Sequence, residues 1–247
     1  MAASKGSAAP ISDIFHSIFS FFAAVPLLLH IDTAITGASI CLSDDARVLA
    51  HAGNPAQRDS AAWLQAAIRD LLASAGRGLG ELAAVSVSSG PGSYTGLRVG
   101  MASAKGLCYA LGIPLLAIPT LKMMAAAALP AEGLLCPMID ARRLEVFAAV
   151  YDQQLRERVP AAPFILDETS FAQELDQGPV TFFGNGSDKF RPLVAHPNAR
   201  FAQVEADARN LAPLAAEAFA AGAFADLAYA VPFYGKEFYT PVPPKST

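Results

Sequence analysis

An apolar run, Ala83–Val87, leads straight into Ser89-Gly90-Pro91-Gly92-Ser93-Tyr94-Thr95-Gly96-Leu97-Arg98-Val99-Gly100. No other stretch of the 247-residue chain restricts its fold as tightly. Glycines between a strand and a helix leave the first helical N–H groups pointing outward, the geometry of an anion site. The standard phosphate loops do not fit. No Gly-Lys-Ser/Thr step occurs, and three residues separate Gly92 from Gly96, one too many for the dinucleotide fingerprint. Nor is Ser93 the serine of a GxSxG elbow, because Pro91 and Thr95 stand where glycines should. Ser93 reads instead as the N-cap of a helix that runs to about Leu111.

Within that helix Gly92, Gly96, Gly100 and Ala104 recur every four residues and share one face. A glycine in a helix interior costs about 1 kcal/mol against alanine, so something must offset it. A face without side chains admits another backbone at close range. The approaching backbone is either a partner helix, at about 8 Å between axes, or the chain's own sheet.

The surrounding pattern is α/β. Leu27–Ile31 is a buried-strand run ending in Asp32-Thr33, and Thr36–Leu42 and Arg47–Ala52 form a hairpin around Ser43-Asp44-Asp45. Asp59 or Ser60 caps a helix in which Leu64, Ile68, Leu71 and Leu72 make one stripe, and Gly76 ends it. Strand Pro114–Ile118 and a helix from Thr120 to Leu129 follow. The pattern then restarts: Leu134–Ile139 ends in Asp140-Ala141-Arg142, Glu145–Tyr151 pairs with it, and Pro179–Phe183 runs into Gly184-Asn185-Gly186. Asp207 caps a last helix with Leu211, Leu214, Ala218 and Phe219 inward and Gly222 at its end. Two similar halves, each opening with a strand that ends in Asp plus a small residue, imply a duplicated domain with a cleft between the halves. In such a cleft, strand-end carboxylates can orient water or a metal on a phosphate. Asp140 and Arg142 could equally form a buried ion pair.

Composition narrows the function. Hydrophobic residues make up 53% of the chain, which excludes disorder. The net charge is −4 and the pI about 5.5, so the chain is not built to grip nucleic-acid phosphate alone. Arg142, Arg143, Arg156 and Arg158 are the dense basic candidates. Cys41, Cys108 and Cys136 are scattered, with no CxxC or Cys/His pair for zinc, and read as buried thiols of a reducing compartment. No apolar run of about 18 residues is free of polar interruption, so no membrane span is expected. Residues 1–26 differ from the rest. They read as an extension outside the fold, either a secretory signal or a start site placed too early, with Val25 encoded by GTG.

Four segments together carry a resemblance: Leu29-His30-Ile31-Asp32-Thr33, the glycine segment Ser89–Gly100, Ala104-Lys105-Gly106-Leu107, and Ile139-Asp140-Ala141-Arg142-Arg143-Leu144-Glu145-Val146-Phe147. They resemble the TsaB family, over about residue 27 to the end and most strongly in the first half. The resemblance implies the duplicated actin-like ATPase (ribonuclease H-like) fold, with residues 27–130 and 131–231 as halves and 232–247 as an extended tail. It implies a non-catalytic dimerisation subunit of the cytoplasmic bacterial complex that transfers threonylcarbamoyl to the adenosine beside the tRNA anticodon. The partners implied are a TsaD-like catalytic subunit, a TsaE-like ATPase, tRNA only through the complex, and a second copy when the catalytic partner is absent. Dimerisation in the first half would put Gly92, Ser93, Gly96, Arg98, Gly100 and Ala104, with Leu64 and Ile68 of the Asp59–Ala75 helix, at the contact. Remnants of a nucleotide site would be Asp32, Asp140, Gly184 and Gly186. No cofactor is required of this chain, though ATP or ADP could sit at the partner interface.

Departures from the catalytic relatives matter. TsaD-type chains carry HxxxH metal ligands, and among His16, His30, His51 and His196 no two lie four apart. The His-Ser step that opens the first helix of many TsaB chains reads Asp59-Ser60 here. A small-molecule kinase would need more glycine around Asp32 than the lone Gly37, and a peptidase would need a nucleophile with its base or a bound metal. Neither reading finds its residues.

Overall fold

The computed structural model describes residues 25–35, 37–55 and 60–235. The expected N-terminal extension lies outside them apart from Val25 and Pro26, as does the Asp59 cap. In the first half, β1 (Leu27–Asp32), β2 (Ala38–Asp44) and β3 (Arg47–Asn54) form an antiparallel meander. Next come α1 (Ser60–Ser74), β4 (Leu82–Ser88), α2 (Tyr94–Leu111), β5 (Leu115–Ile118) and α3 (Thr120–Ala127). β4 joins β1 in parallel and β5 joins β4, giving the order β3-β2-β1-β4-β5. The second half repeats it with β6 (Leu134–Asp140), β7 (Glu145–Tyr151), β8 (Glu157–Ile165), α4 (Ala172–Gln177), β9 (Val180–Phe183), α5 (Ser187–Phe190), β10 (Ala199–Phe201) and α6 (Leu211–Ala220). Its sheet order is β8-β7-β6-β9-β10, the same arrangement. The fold is the duplicated ribonuclease H-like fold of the actin-like ATPases.

β1 is buried along its whole length because helices cover both faces of its sheet, which is why its run is continuous rather than alternating. On one face Leu64 and Ile68 of α1, which stands over β2 and β3, and Met101 and Ala104 of α2, which stands over β4, share one core with Leu29, Ile31, Ile40 and Val85. The other face is covered from a distance in sequence: Leu211, Leu214 and Ala215 of α6 pack on Leu28, Ala84 and Leu116. The reciprocal holds for the second sheet. α3 contributes Leu121 and Met124 to the core with Leu135, Phe147 and Phe183, while the other face carries Phe171, Leu175 and Phe190. Each half thus lends its last helix to the other's sheet. The expected division at 130/131 separates the strands but not the packing units, because α3 and α6 each stand on the far side of it.

After α6 the chain returns along the first half as a belt. Ala225 N–H donates to Leu115 O at 2.8 Å, and Lys105 Nζ donates to the carbonyls of Ala228 and Ala230 at 3.2 and 2.9 Å. Phe233 N–H reaches Ser89 O at 2.7 Å, so the described part of the tail lies extended on the glycine loop. Among the described residues no helix is long and apolar enough to cross a membrane.

β8, α4, α5 and β10 have no counterpart in the sequence reading. Pro160 and Pro163 argue against a strand, yet both are tolerated because β8 is an edge strand. The other three are six, four and three residues long, too short for periodicity to register.

Candidate functional site

α2 begins as expected: Ser93 Oγ accepts the Gly96 N–H at 3.3 Å. Its glycine face is turned inward. A Cβ at Gly92 would collide with Ala34 O, at Gly96 with Thr33 O, and at Gly100 with Thr33 Oγ1. Thr33 Oγ1 donates to Gly96 O at 2.7 Å, and Ser93 N–H donates to Ala34 O at 2.7 Å. The backbone approaching the small face is therefore the chain's own turn after β1. This corrects the expected contact. Gly96, Gly100 and Ala104 face this turn and the first sheet, and Leu64 and Ile68 are buried in the first core. Only Arg98 is exposed, while Gly92 and Ser93 line the cleft.

The outward face of the two helices is different. Ala61, Ala62 and Ala66 of α1 and Ala102, Gly106 and Ala110 of α2 are exposed, and Gln65 Nε2 donates to Ser103 Oγ at 3.2 Å across the groove between them. Nothing lies within 4 Å of where a Gly106 Cβ would stand. The chain's own packing does not call for glycine there.

Between the halves lies a cleft of about 480 Å³, walled by Ala34 and the start of α2 on one side and by Ile139–Arg142, Phe147 and Asn185 on the other. The two strand-end carboxylates fare differently in it. Asp32 is buried, and its Oδ1 accepts the Ala34 N–H at 3.0 Å and the Ser88 hydroxyl at 2.6 Å. Burial pushes its carboxyl above the usual range, and it does not line the cleft. Asp140 does line it. Its Oδ1 accepts Lys189 Nζ and the Arg142 N–H, both at 2.6 Å, and the Lys189 ammonium holds its carboxyl below the ordinary value. The expected Asp140–Arg142 ion pair is thus an Asp140–Lys189 pair, to which Arg142 adds only its backbone. Gly184 and Gly186 are taken up by packing. A Cβ at Gly184 would collide with Met138 O, and Gly186 N–H donates to Met138 O at 3.1 Å. Of the four expected nucleotide ligands, only Asp140 lines this cleft, and Gly184 lines an adjoining cavity that shares Ile35 and Asn185 with it.

His30 was not singled out by its motif. It is fully buried in β1, with Nδ1 2.7 Å from Ser86 Oγ and Nε2 2.7 Å from Ser43 Oγ. Ser43 gives its proton to Asp45 O at 2.6 Å, so it accepts from Nε2–H, and the Ser86 hydroxyl donates to Nδ1. Burial pushes this imidazole down to about 3 and holds it neutral. A Cys/His/Asp grouping also exists. Cys41 and His51 are cross-strand partners, and His51 Nε2 lies 3.6 Å from Asp207. Burial, then the Asp207 charge, push the Cys41 thiol up to about 12, which keeps it protonated and un-nucleophilic. Among the described residues no group of three His, Cys, Asp or Glu side chains converges as a metal-ligand set.

Comparison with known proteins agrees with this architecture. A family model described as TsaD, tRNA N6-adenosine threonylcarbamoyltransferase, matches residues 53–236. The Bacillus subtilis tRNA threonylcarbamoyladenosine biosynthesis protein TsaB is 30% identical over 171 residues, 68% of this chain and 74% of that protein. The Haemophilus influenzae protein of the same name is 36% identical over 135 residues, 53% of this chain and about half (55%) of that protein. A Pseudomonas aeruginosa crystal structure, described as similar to the peptidase YeaZ, superposes with a TM-score of 0.76 at 28% identity, covering 85% of this chain and all (100%) of that one. The chain belongs to the TsaB family, within the broader threonylcarbamoyltransferase family that the matching model describes.

Proposed function

We propose that the chain is a non-catalytic scaffold subunit in tRNA threonylcarbamoyladenosine biosynthesis, the process for which its B. subtilis and H. influenzae relatives are named. It pairs with a TsaD-like catalytic subunit in the cytoplasm, a TsaE-like ATPase joins the pair, and tRNA is met through the complex. Without the catalytic partner the same face pairs two copies of the chain. The observation that carries the reading is the outward face of α1 and α2. Gly106 sits mid-helix with open space before it, where alanine would be better by about 1 kcal/mol in an isolated helix. Ala102 and Ala110 flank it one turn away on α2, with Gln65, Ser103 and Leu107 lining the groove beside it, so another helix can approach closely along this line.

The site chemistry supports a scaffold rather than an enzyme. Cys41 is held as a thiol, Asp32 is turned into the core, and Asp140 is neutralised by Lys189. These features count against a kinase or peptidase reading. Any nucleotide would sit where the catalytic partner completes the site, and this chain needs none of its own. The test is reconstitution. Purified catalytic subunit and ATPase subunit, supplied with threonylcarbamoyl-adenylate and unmodified tRNA, should turn over only when this chain is added. Full modification without it would overturn the reading.

A further inference from the structure

The four arginines that stand close in sequence part company in the fold. Arg156 is tied to Asp152 at 2.8 Å and Arg158 lines a cavity beside it, at the end of β7 away from the cleft. Arg142 and Arg143 occupy the β6–β7 turn at the other end, about 20 Å away by strand rise. Both are exposed and hold left-handed backbone conformations, with φ of 74° and 49°. Such conformations cost a non-glycine residue about 1–2 kcal/mol each, and asparagine or glycine is the ordinary occupant. Neither guanidinium has a partner among the described residues.

The neighbourhood is basic on an acidic chain. Arg142 lines the cleft, opposite Tyr94. Lys189 pairs with Asp140 at 2.6 Å, so that carboxylate does not cancel the arginines, and Glu145, whose N–H donates to Arg142 O, is the other acidic residue of the turn. Arg98 lies over Tyr94 at 5.4 Å from the ring centroid, and Tyr234 packs on the same ring at 5.0 Å. Guanidinium groups beside a partly exposed aromatic pair are the elements that hold an unpaired nucleic-acid strand: cations for the phosphates and rings for the bases.

We propose that the β6–β7 turn and the Tyr94–Tyr234 rim form a contact for an unpaired stretch of RNA, with Arg142 and Arg143 on its phosphates. The proposal rests on the tRNA reading above and gives that reading a surface on this chain. It is compatible with a net charge of −4, because two phosphate contacts alone give only weak binding at physiological salt, to which the assembled complex adds.

The test is the double variant Arg142→Asn/Arg143→Gly, whose residues suit the left-handed turn. It should melt at or above the wild-type temperature. Labelled unmodified tRNA is titrated by anisotropy across a salt series, with the full chain alone at low salt and with its catalytic partner. The expected result is about tenfold weaker binding in the variant and a salt slope lower by about 1.4, two single-strand phosphate contacts. Unchanged affinity and slope would overturn the contact. Displacement of tRNA by millimolar ADP would also overturn it, by assigning the arginines to a mononucleotide in the cleft. Sedimentation of the same variant with the partner separates the two readings. Intact assembly with unchanged tRNA affinity sinks the contact alone. A wild-type chain that never assembles sinks the scaffold reading, while the low-salt titration still decides the contact.

Discussion

One helix carries two glycines whose replacement by alanine should have opposite signs. At Gly100 the new Cβ would collide with Thr33 Oγ1 and stand 3.4 Å from Val87 Cγ2. Thr33 is itself fixed, buried and donating to Gly96 O at 2.7 Å. The alanine gains about 1 kcal/mol of helix propensity. Against it stand overpacking of about 1–3 kcal/mol and the strained Thr33 hydrogen bond, worth about 1 kcal/mol. The net is a loss of about 1–3 kcal/mol, or roughly 2–12 °C in Tm for a chain of this size. At Gly106 nothing lies within 4 Å, so only the propensity gain remains, a rise of about 2–4 °C. Circular dichroism melts of Gly100→Ala, Gly106→Ala and wild type under one buffer decide the matter. A Gly100→Ala melt equal to or above wild type would show that the glycine face is not packed on the turn after β1, and the inward assignment would fall.

Other consequences follow from the core. His30 is held neutral, with its folded value at about 3 against 6.5 for the free group, so the unfolded chain binds the extra proton between those values. Stability should be full above pH 6.5 and fall by about 1.4 kcal/mol per unit below it, reaching about 3 kcal/mol by pH 4. Asp32, raised by burial, works in the opposite direction below its own value, so urea melts of wild type and His30→Gln should be compared. The variant should show the flatter curve, and equal slopes would refute the His30 assignment. Leu64→Ala should cost about 2–5 kcal/mol in chemical denaturation because its side chain is fully buried in the core where α1 packs on β2 and β3. A loss under 1 kcal/mol would place Leu64 outside the core. Lys105→Met should expose the belt after Gly222 to limited proteolysis with little change in the melt of the body, since Lys105 clamps two of its carbonyls. Unaltered cleavage would show that other contacts hold the belt.

Much of this was legible in the chain, for reasons that local residues carry. The Asp140 strand and its hairpin partner show as continuous apolar runs because both lie in a covered sheet. The period of four placed Gly92, Gly96 and Gly100 on one face, but period says nothing of what lies opposite. Thr33 and Ala34, some sixty residues away, decide that. Asp32 and Asp140 end matching strands and read alike. They diverge because Ser88 captures one and Lys189 the other, partners 56 and 49 residues away. The exchange of α3 and α6 was hidden for a similar reason: the stripe Leu211, Leu214 looks the same whichever sheet it covers.

The scaffold account is tested most directly by the variant Gly106→Arg on the outward face of α2. The space there is open and arginine is a good helix former, so the fold should melt at or above the wild-type temperature. An approaching helix would meet a long charged side chain instead of none. Overpacking of about 1–3 kcal/mol predicts assembly with the TsaD-like subunit weakened about ten- to a hundredfold in sedimentation, and tRNA modification lowered with it. Wild-type assembly and wild-type modification by a well-folded Gly106→Arg chain would contradict the account.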